Sequence, residues 1–279
     1  MNQTLKSLKT PLRYPGGKSR ATKYLIPRFP DDIKEYRETF LGGGSVAIAF
    51  SKENPDIPVW VNDLYEPLYN FWRELQDNGR EMRDKLIELK YRHCEPVSAK
   101  NLFLEAKELV NDYDTTSNLS RAVSFYIINK CSFSGLTESS SFSKQASESN
   151  FSLRGIDRLP RYSEIIKNWK ITNWSYEGLL TDDVRCFIYS DPPYDIKDNL
   201  YGNKGNLHKR FDHDQFASDC DRYVARQMIS YNSTQMVKDR FQDWLASTYD
   251  LTYTMRSTGD YMNEQKDRAE LLLTNYEQN

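Results

Sequence analysis

One short apolar run constrains the fold more than any other part of the sequence. It covers Cys186-Phe187-Ile188-Tyr189-Ser190 and is followed at once by Asp191-Pro192-Pro193-Tyr194. An apolar run of this length that ends at prolines predicts a buried strand. In open α/β sheets, ligands bind in the crevice beyond the carboxyl ends of the strands. The sequence therefore places the acidic tetrapeptide at a candidate ligand site.

The tetrapeptide suits recognition of an exocyclic amine on a base. Asp191 can accept a hydrogen bond from an amino proton, and the carbonyl of Pro192 offers a second acceptor. Pro192 and Pro193 stiffen the turn and remove backbone donors that would compete for the carboxylate. Tyr194 offers a flat face for a base that has left its stack. From these residues alone a second interpretation stays open, in which the acidic residue and the prolines simply end a strand in a tight turn.

The length of 279 residues suits one large α/β domain or a core with a substantial insertion. The composition, with 28% charged residues, is too polar for a membrane protein. No apolar stretch approaches the roughly 18 residues of a spanning helix, and residues 1–9 do not precede a signal-peptide core. We therefore expect a cytoplasmic protein.

The spacing of cysteines and histidines does not suggest a metal site. The four cysteines lie far apart without a CxxC pair, and the three histidines lack metal-ligand spacing. We predict no metal and expect the cysteines to be small buried residues.

The charge distribution favours an anionic partner. The net charge of −2 argues against a uniformly basic surface, yet residues 1–30 contain seven Lys or Arg and no acidic residue. This asymmetry could meet phosphates, although most charge runs are simply solvated surfaces.

Pro15-Gly16-Gly17-Lys18-Ser19 ends like a phosphate-binding loop. That motif requires a glycine where the chain has Leu12. We expect these glycines to let the backbone pass close to a ligand, with Lys18 reaching a carboxylate or phosphate of that ligand. A helix capped by Ser19 is predicted to follow. The alternative is a turn that merely joins two elements.

A second glycine-rich stretch indicates a nucleoside site. Gly42, Gly44 and Ala47 satisfy the pattern G-x-G-x-x-[GA], and residues 46–51 are predicted to open a helix. A strand over residues 59–63 ends at Asp63, 21 residues after Gly42. An acidic side chain at this spacing suits the hydroxyls of a ribose. Both NAD and S-adenosylmethionine carry a ribose, so the pattern alone does not distinguish them.

Residues 64–165 have a helical character. Apolar residues recur at helical spacing over residues 75–92, 97–113 and 119–131. The serine-rich residues 132–152 are predicted to form an exposed loop that buries little. We therefore expect a catalytic domain of residues 1–63 and 166–279 with a helical insertion of residues 64–165.

Strand and helix patterns alternate again after the insertion. The predicted strands are 171–173, 187–190 and 228–231, the helices are 214–226 and 235–245, and an antiparallel hairpin covers 249–255 and 271–276. Residues 196–213 contain basic residues among glycines and asparagines. We interpret them as a lid or a DNA-contacting loop, with an idle surface loop as the alternative.

Four features occur in a characteristic order along the chain. They are Arg13-Tyr14-Pro15-Gly16-Gly17-Lys18, Phe40-Leu41-Gly42-Gly43-Gly44-Ser45, Asp63, and Asp191-Pro192-Pro193-Tyr194 after a helical insertion. In this order they resemble the Dam-type (D12 class, α-group) DNA adenine-N6 methyltransferases. The resemblance covers nearly the whole chain. It implies an α/β fold with the seven-stranded sheet of class I methyltransferases, S-adenosylmethionine as cofactor, and the insertion as target-recognition domain.

The resemblance also implies roles for single residues. The cofactor-binding residues would be Tyr14, Gly17, Lys18, Phe40, Gly42, Gly44, Ser45, Asp63 and Asp191. Tyr14 and Lys18 would contact the methionine end, and Asp63 would hold the ribose. The catalytic residues would be Asp191, Pro192, Pro193 and Tyr194. Asp191 would lie between cofactor and target amine, and Tyr194 would stack on the adenine.

The DNA-binding residues show departures from the family. The candidates are Arg13, Lys130, Phe133, Ser134 and Arg154. Phe133 would wedge into the duplex, but Ser134 and Glu138 replace an amide and a guanine-reading arginine. Because an arginine on guanine is worth ~1–3 kcal/mol of discrimination, a GATC target does not follow. The candidate replacements are Arg154, Arg158 and Arg161.

The sequence therefore predicts a specific enzymatic activity. It is methyl transfer from S-adenosylmethionine to N6 of an adenine flipped out of a short, specific sequence of double-stranded DNA. The enzyme would act as a monomer on DNA near the nucleoid, with restriction-modification as one setting. Two alternatives stay open: the same fold acting on cytosine N4 or an RNA base, and a catalytically silent DNA-binding relative. A nicotinamide dehydrogenase would leave the Pro-Gly-Gly-Lys and Asp-Pro-Pro-Tyr turns without a purpose.

Overall fold

The computed structural model describes residues 7–133, 135, 140–194, 211–249 and 270–277, which form a seven-stranded sheet surrounded by helices. The strands are β1 Glu35–Glu38, β2 Val59–Asn62, β3 Trp169–Thr172, β4 Cys186–Ser190, β5 Arg226–Asn232, β6 Leu245–Tyr249 and β7 Glu270–Thr274. Their order is β3-β2-β1-β4-β5-β7-β6. Strands β1 to β5 pair in parallel, while β7 lies antiparallel between β5 and β6. The predicted α/β fold with a seven-stranded methyltransferase sheet is confirmed.

Helices pack on both faces of the sheet. They are α1 Thr22–Leu25, α2 Ser45–Glu53, α3 Glu66–Arg92, α4 Pro96–Leu109, α5 Asn118–Cys131, α6 Lys144–Ser149, α7 Leu153–Ile156, α8 Leu159–Ile166, α9 His213–Asp221 and α10 Gln235–Arg240. Strand β7 is an example of a strand that is apolar on both faces. Leu272 joins the cluster beneath the insertion helices, whereas Leu271 and Leu273 join the cluster with α9 and α10. Alternate side chains point to opposite faces, so both faces of this strand are covered.

The sheet positions the tetrapeptide at a topological switch point. All five residues of β4 are buried, and β4 pairs in parallel with β1 on one side and β5 on the other. The chain passes from β1 to β2 and β3 on one side before it returns to β4, so a crevice forms beyond the carboxyl ends of β1 and β4. Asp191 follows β4 directly. The predicted strand at residues 187–190 is therefore confirmed at the position that matters most.

The helical insertion packs closely against the sheet. Trp72 of α3 is fully buried, and its ring centroid lies 6.0 Å from that of Trp169 in β3. On the same helix, the ring of Phe71 contacts Phe125 of α5 at 5.6 Å between centroids. One continuous hydrophobic cluster thus extends from the sheet into the insertion.

Several predicted boundaries were wrong. Helix α3 begins at Glu66, nine residues before the predicted start, because its first turns are anchored by aromatic residues rather than by regular spacing alone. The predicted helix 235–245 ends at Arg240, and Leu245 instead begins edge strand β6. Ser19 does not cap a helix; its segment forms short 3-10 turns around α1.

The predicted exposed loop at residues 132–152 was also wrong in its described part. This part contains helix α6, and Phe151 is only 2% exposed. The many serines of this segment favoured a loop prediction. In the structure, however, Ser143 caps α6 by accepting a hydrogen bond from the backbone N–H of Ala146. Most of the predicted 196–213 loop lies outside the described residues, as do residues 250–255 of the predicted hairpin.

The described residues were predicted to contain neither a membrane-spanning helix nor a metal site. No helix among them combines the length and the apolar character that crossing a bilayer requires. Within the same ranges, no group of three or more His, Cys, Asp or Glu side chains is arranged to hold a metal ion.

Candidate active site

A cleft of about 840 Å³ opens beyond the carboxyl ends of β1, β2 and β4. Of the nine predicted cofactor-binding residues, all except Gly44 line the cleft. Asp191 and Pro193 of the tetrapeptide line it too, whereas Pro192 is buried and Tyr194 lies beside Lys18. The sequence therefore brought together residues that are as much as 177 positions apart, from Tyr14 to Asp191.

The glycine turn between β1 and α2 forms one wall of the cleft. Gly42 and Gly44 have positive φ angles of 48° and 66°, which side chains rarely adopt. The ring of Tyr14 packs on this turn so closely that a Cβ at Gly42 would lie 2.8 Å from it. Helix α2 then begins at Ser45. Close approach of Tyr14 to the backbone thus explains why glycine is needed here.

Trp72 supports the same turn from the other side and was missed by the sequence reasoning. Its indole Nε1 donates a hydrogen bond to the carbonyl of Gly42 at 3.1 Å. Its ring lies 2.7 Å from the position of a Cβ at Gly44, which explains why Gly44 faces the insertion rather than the cleft. The regular helical spacing of apolar residues begins only at residue 75, so the sequence did not single out this tryptophan.

Asp63 follows β2 and holds the glycine turn from below. Its Oδ2 accepts a hydrogen bond from the backbone of Gly42 at 2.8 Å, and its Oδ1 accepts one from Tyr65 at 3.0 Å. Burial raises the pKa of Asp63 to about 6, although these two backbone donors favour its charged form. A carboxylate has about four lone-pair sites, so acceptor capacity remains on the side facing the cleft.

Lys18 and Asp191 form a buried ion pair at the centre of the site. Lys18 Nζ lies 2.8 Å from Oδ1 and 2.9 Å from Oδ2 of Asp191. Lys18 is 3% exposed and Asp191 is 22% exposed. Burial raises the pKa of Asp191 to about 6, and Lys18 opposes this rise. Burial also works against the charge of Lys18, but Asp191 and Glu270 outweigh it and raise the lysine pKa. The predicted contact of Lys18 with a ligand carboxylate is thus made to a carboxylate of the protein itself.

Glu270 and Tyr194 extend this ion pair. Lys18 Nζ donates to the hydroxyl of Tyr194 at 2.8 Å and lies 3.7 Å from Oε2 of Glu270. The Tyr194 hydroxyl in turn donates to Glu270 Oε2. The ring of Tyr194 stacks on Tyr231 of β5 at 5.9 Å between centroids. Sequence reasoning missed Glu270, because it occupies the start of a strand that otherwise reads as a plain apolar run.

Glu38, at the end of β1, is a second carboxyl group that sequence reasoning missed. It is 2% exposed, lines the cleft, and accepts a hydrogen bond from the hydroxyl of Tyr36 at 2.7 Å. Burial raises its pKa to about 8, and the neighbouring charge of Asp191 adds to this effect. Glu38 therefore carries a proton at neutral pH. A single acidic residue ahead of a glycine turn gave no sign of this burial.

Aromatic side chains close the far side of the cleft. Phe40 and Phe211 both line it, and their ring centroids lie 5.6 Å apart in an edge-to-face arrangement. Tyr176 packs against Phe40 at 5.8 Å. Phe211 immediately follows the undescribed residues 195–210, so the end of the predicted lid segment borders the cleft.

Comparison with known proteins decides the family. The model of the D12 class of N6 adenine-specific DNA methyltransferases matches residues 14–257. The chain belongs to this family. It is also 23% identical over 198 residues to the Type II methyltransferase M.MjaIII of Methanocaldococcus jannaschii, which covers 66% of this chain and 68% of that protein. The protein is thus an adenine-N6 DNA methyltransferase, which decides against the cytosine and RNA-base acceptors that the sequence left open.

Two of the predicted DNA-binding residues of this D12-class methyltransferase, Arg13 and Phe133, meet at the end of α5. Phe133, immediately after this helix, is 79% exposed. Arg13 does not extend freely into solvent: its Nη1 donates to the carbonyl of Ser132 at 2.7 Å and its Nη2 to that of Phe133 at 2.8 Å. The guanidinium thereby binds two carbonyls of the chain that follows α5, and it ties the exposed phenylalanine to the segment just before Tyr14.

The other predicted DNA contacts are less closely grouped. Lys130 lies beside the ring of Tyr126, at 5.3 Å from the ring centroid, and burial and then Arg13 lower its pKa to about 8. Arg154 is exposed on the short helix α7. Ser134 and Glu138 lie outside the described residues. Lys130 and Phe133 therefore lie close together in the chain near the end of α5, where Arg13 binds the backbone, and Arg154 is a separate exposed candidate.

Proposed function

We propose that this methyltransferase transfers the methyl group of S-adenosylmethionine to N6 of an adenine flipped out of a short, specific sequence in double-stranded DNA. The observation that carries the proposal is the position of the Asp191 carboxylate. It lines the same cleft as the glycine turn and Asp63, and Lys18 holds both of its oxygens. A charged acceptor is thus fixed beside a site with the features of a nucleoside pocket.

The residues of the cleft fit S-adenosylmethionine. Asp63 offers lone pairs for the ribose hydroxyls, and Phe40 offers an apolar ring beside them. Gly17 and Ser45 line the cleft with little side-chain bulk, so they leave room for a ligand. Tyr14 holds the glycine turn in shape. When bound, the cofactor supplies an activated methyl group on a sulfonium sulfur.

The protein's main task is to make a poor nucleophile react. The lone pair of an aromatic amine is delocalised into the ring. We infer that Asp191 and the carbonyl of Pro192 accept hydrogen bonds from the two amino protons, which shifts the nitrogen toward tetrahedral geometry. Lys18 occupies one side of the carboxylate and keeps it charged. Positioning and electrostatic preorganisation then account for the acceleration.

The target base has to leave the duplex to meet Asp191. Phe133 is exposed and apolar, which suits a side chain that fills the gap left in the stack. Tyr194 would then support the flipped adenine, and Arg13 and Lys130 would contribute positive charge near the phosphates. A single chain carries all these groups, so we propose that a monomer acts on DNA in the cytoplasm, near the nucleoid. The name of the archaeal relative suggests restriction-modification as the setting.

A product analysis tests this function. The purified protein is incubated with S-adenosylmethionine and unmethylated genomic DNA, and the DNA is digested to nucleosides for mass spectrometry. We expect N6-methyladenine. Asp191→Ala is expected to abolish the product while DNA binding is largely retained, whereas the exposed control Asp183→Ala keeps full activity. Wild-type turnover by Asp191→Ala would refute the assignment. Failure of the wild-type protein to bind S-adenosylmethionine in calorimetry would instead indicate a catalytically silent relative.

A further inference from the structure

Glu270 is a buried carboxylate that the proposed mechanism does not yet use. It is 3% exposed at the start of β7, and Asn232 of β5 is its partner across the sheet. Its Oε2 accepts the hydrogen bond of the Tyr194 hydroxyl and lies 3.7 Å from Lys18 Nζ. Buried carboxylates are costly unless they are paired and hydrogen-bonded. The nearby charge of Lys18 accounts for part of this placement, and the hydrogen bond from Tyr194 indicates a second role.

Two carboxylates compete for the one proton of the Tyr194 hydroxyl. Glu270 accepts it, and Asp191 is the neighbouring carboxylate, because Lys18 Nζ binds both oxygens of Asp191 as well as the Tyr194 hydroxyl. The hydroxyl accepts a hydrogen bond from Lys18 at 2.8 Å, and its own single proton can go to only one of the two carboxylates. Any bond from Tyr194 to Asp191 would occupy a lone pair that the substrate amine needs.

We propose that Glu270 is a positioning residue that draws the Tyr194 hydroxyl proton away from Asp191 and so keeps Asp191 open to the adenine amine. The inference rests on the proposed function and assigns its site a further member. With Glu270 in place, Lys18 donates to Asp191 and Tyr194, and Tyr194 donates to Glu270. The Tyr194 proton is then directed to Glu270 and does not occupy a lone pair of Asp191.

Because several charged and titratable groups act on Asp191, the pH dependence of the reaction tests whether Glu270 has this role. The charged and titratable groups that act on Asp191 are Lys18, Glu38, Tyr189, Tyr194, Tyr249 and Glu270. Loss of Glu270 removes a negative charge and turns the Tyr194 hydroxyl toward Asp191. Both changes favour the charged form of Asp191 and lower its pKa. The acidic limb of the rate profile is therefore expected to move to lower pH even though the maximal rate falls.

A set of four variants tests the proposal. Glu270→Met removes the acceptor at similar length, and Glu270→Gln keeps a neutral acceptor. Tyr194→Phe removes the hydroxyl and retains the ring, and Thr274→Val is a matched control on the same face of β7. Single-turnover methylation by Glu270→Met is expected to fall by about 10-fold or more, as for a misdirected bond to a charged group. Glu270→Gln recovers part of this loss. Thr274→Val leaves the rate and the pH profile unchanged.

The double variant Glu270→Met/Tyr194→Phe gives the deciding result. Without the hydroxyl, no proton can turn toward Asp191, so the double variant should be faster than Glu270→Met and approach Tyr194→Phe. A double variant slower than either single variant, or an acidic limb that stays in place in Glu270→Met, would overturn the proposal. An inactive wild-type protein would instead count against the proposed function. Should Glu270→Met not fold, Glu270→Gln carries the same comparison, with a smaller expected change.

Discussion

The side-chain amide of Asn129 clamps the backbone of Arg13 from both sides. The backbone N of Arg13 donates to Asn129 Oδ1 at 2.9 Å, and Asn129 Nδ2 donates to the carbonyl of Arg13 at 2.7 Å. Asn129 Nδ2 also donates to Gly135 at 2.9 Å. The residue after Arg13 is Tyr14, which packs on the glycine turn of the cleft. The end of the insertion is thereby joined to the wall of the active site.

Asn129→Ala should destabilise the protein. Asn129 is fully buried, so the substitution leaves the two backbone groups of Arg13 without these partners. We expect a loss of about 2–4 kcal/mol in the free energy of unfolding, measured by urea denaturation. Asn54→Ala, which removes one hydrogen bond to its own helix at 3.2 Å, should cost less than about 1 kcal/mol. Equal losses in the two variants would show that the clamp adds nothing.

Lys18→Met should change the pH dependence of methylation. Burial raises the pKa of Asp191 to about 6, so the wild-type rate should fall as the pH drops through about 6. Lys18 holds this pKa down, so its removal raises it further and moves the acidic limb to higher pH. We expect a lower rate at pH 7 that recovers in part as the pH increases. The exposed control Lys23→Met should keep the wild-type profile, and an unchanged limb in Lys18→Met would contradict the ion-pair role.

The sequence predicted the parts of this site that local patterns encode. The glycine pattern indicated Gly42, and the spacing from these glycines to a strand end indicated Asp63. The prolines that follow a buried strand indicated Asp191. The sheet was predictable because a run such as Cys186–Ser190 is apolar at every position except its last. Motif order along the chain then linked segments that meet only in the folded protein.

The sequence did not reveal the residues whose roles come from tertiary contacts. Trp72 precedes the regularly spaced apolar residues 75–92, and no local pattern shows that its indole reaches the glycine turn. Glu270 begins a strand whose partner, β5, is distant in sequence. The pairing of Lys18 with Asp191 joins residues from opposite parts of the chain. No periodicity records which side chains face each other across a cleft.

Glu38→Gln should make stability less sensitive to alkaline pH. Burial raises the pKa of Glu38 from 4.5 to about 8, so the folded protein retains a proton that the unfolded chain releases. The resulting stabilisation is complete below about pH 4.5 and is lost as the pH rises through about 8. Glutamine imitates the protonated group. The free energy of unfolding of the variant, relative to that of the wild type, should therefore increase by on the order of a few kcal/mol between pH 5 and pH 9. A difference in unfolding free energy that stays constant over this range would contradict the assignment.

Phe133→Ala should impair base flipping without affecting the fold. The side chain is 79% exposed, so its truncation should change the free energy of unfolding by less than about 0.5 kcal/mol. If the ring fills the gap left by the flipped adenine, the variant should methylate a paired adenine slowly. Its methylation rate should recover when the target adenine is mismatched, because a mismatched base leaves the stack at lower cost. Single-turnover rates on the two duplexes provide the measurement, and Val184→Ala, another exposed apolar residue, is the control. Equal rate losses on paired and mismatched adenine would place Phe133 outside the flipping step.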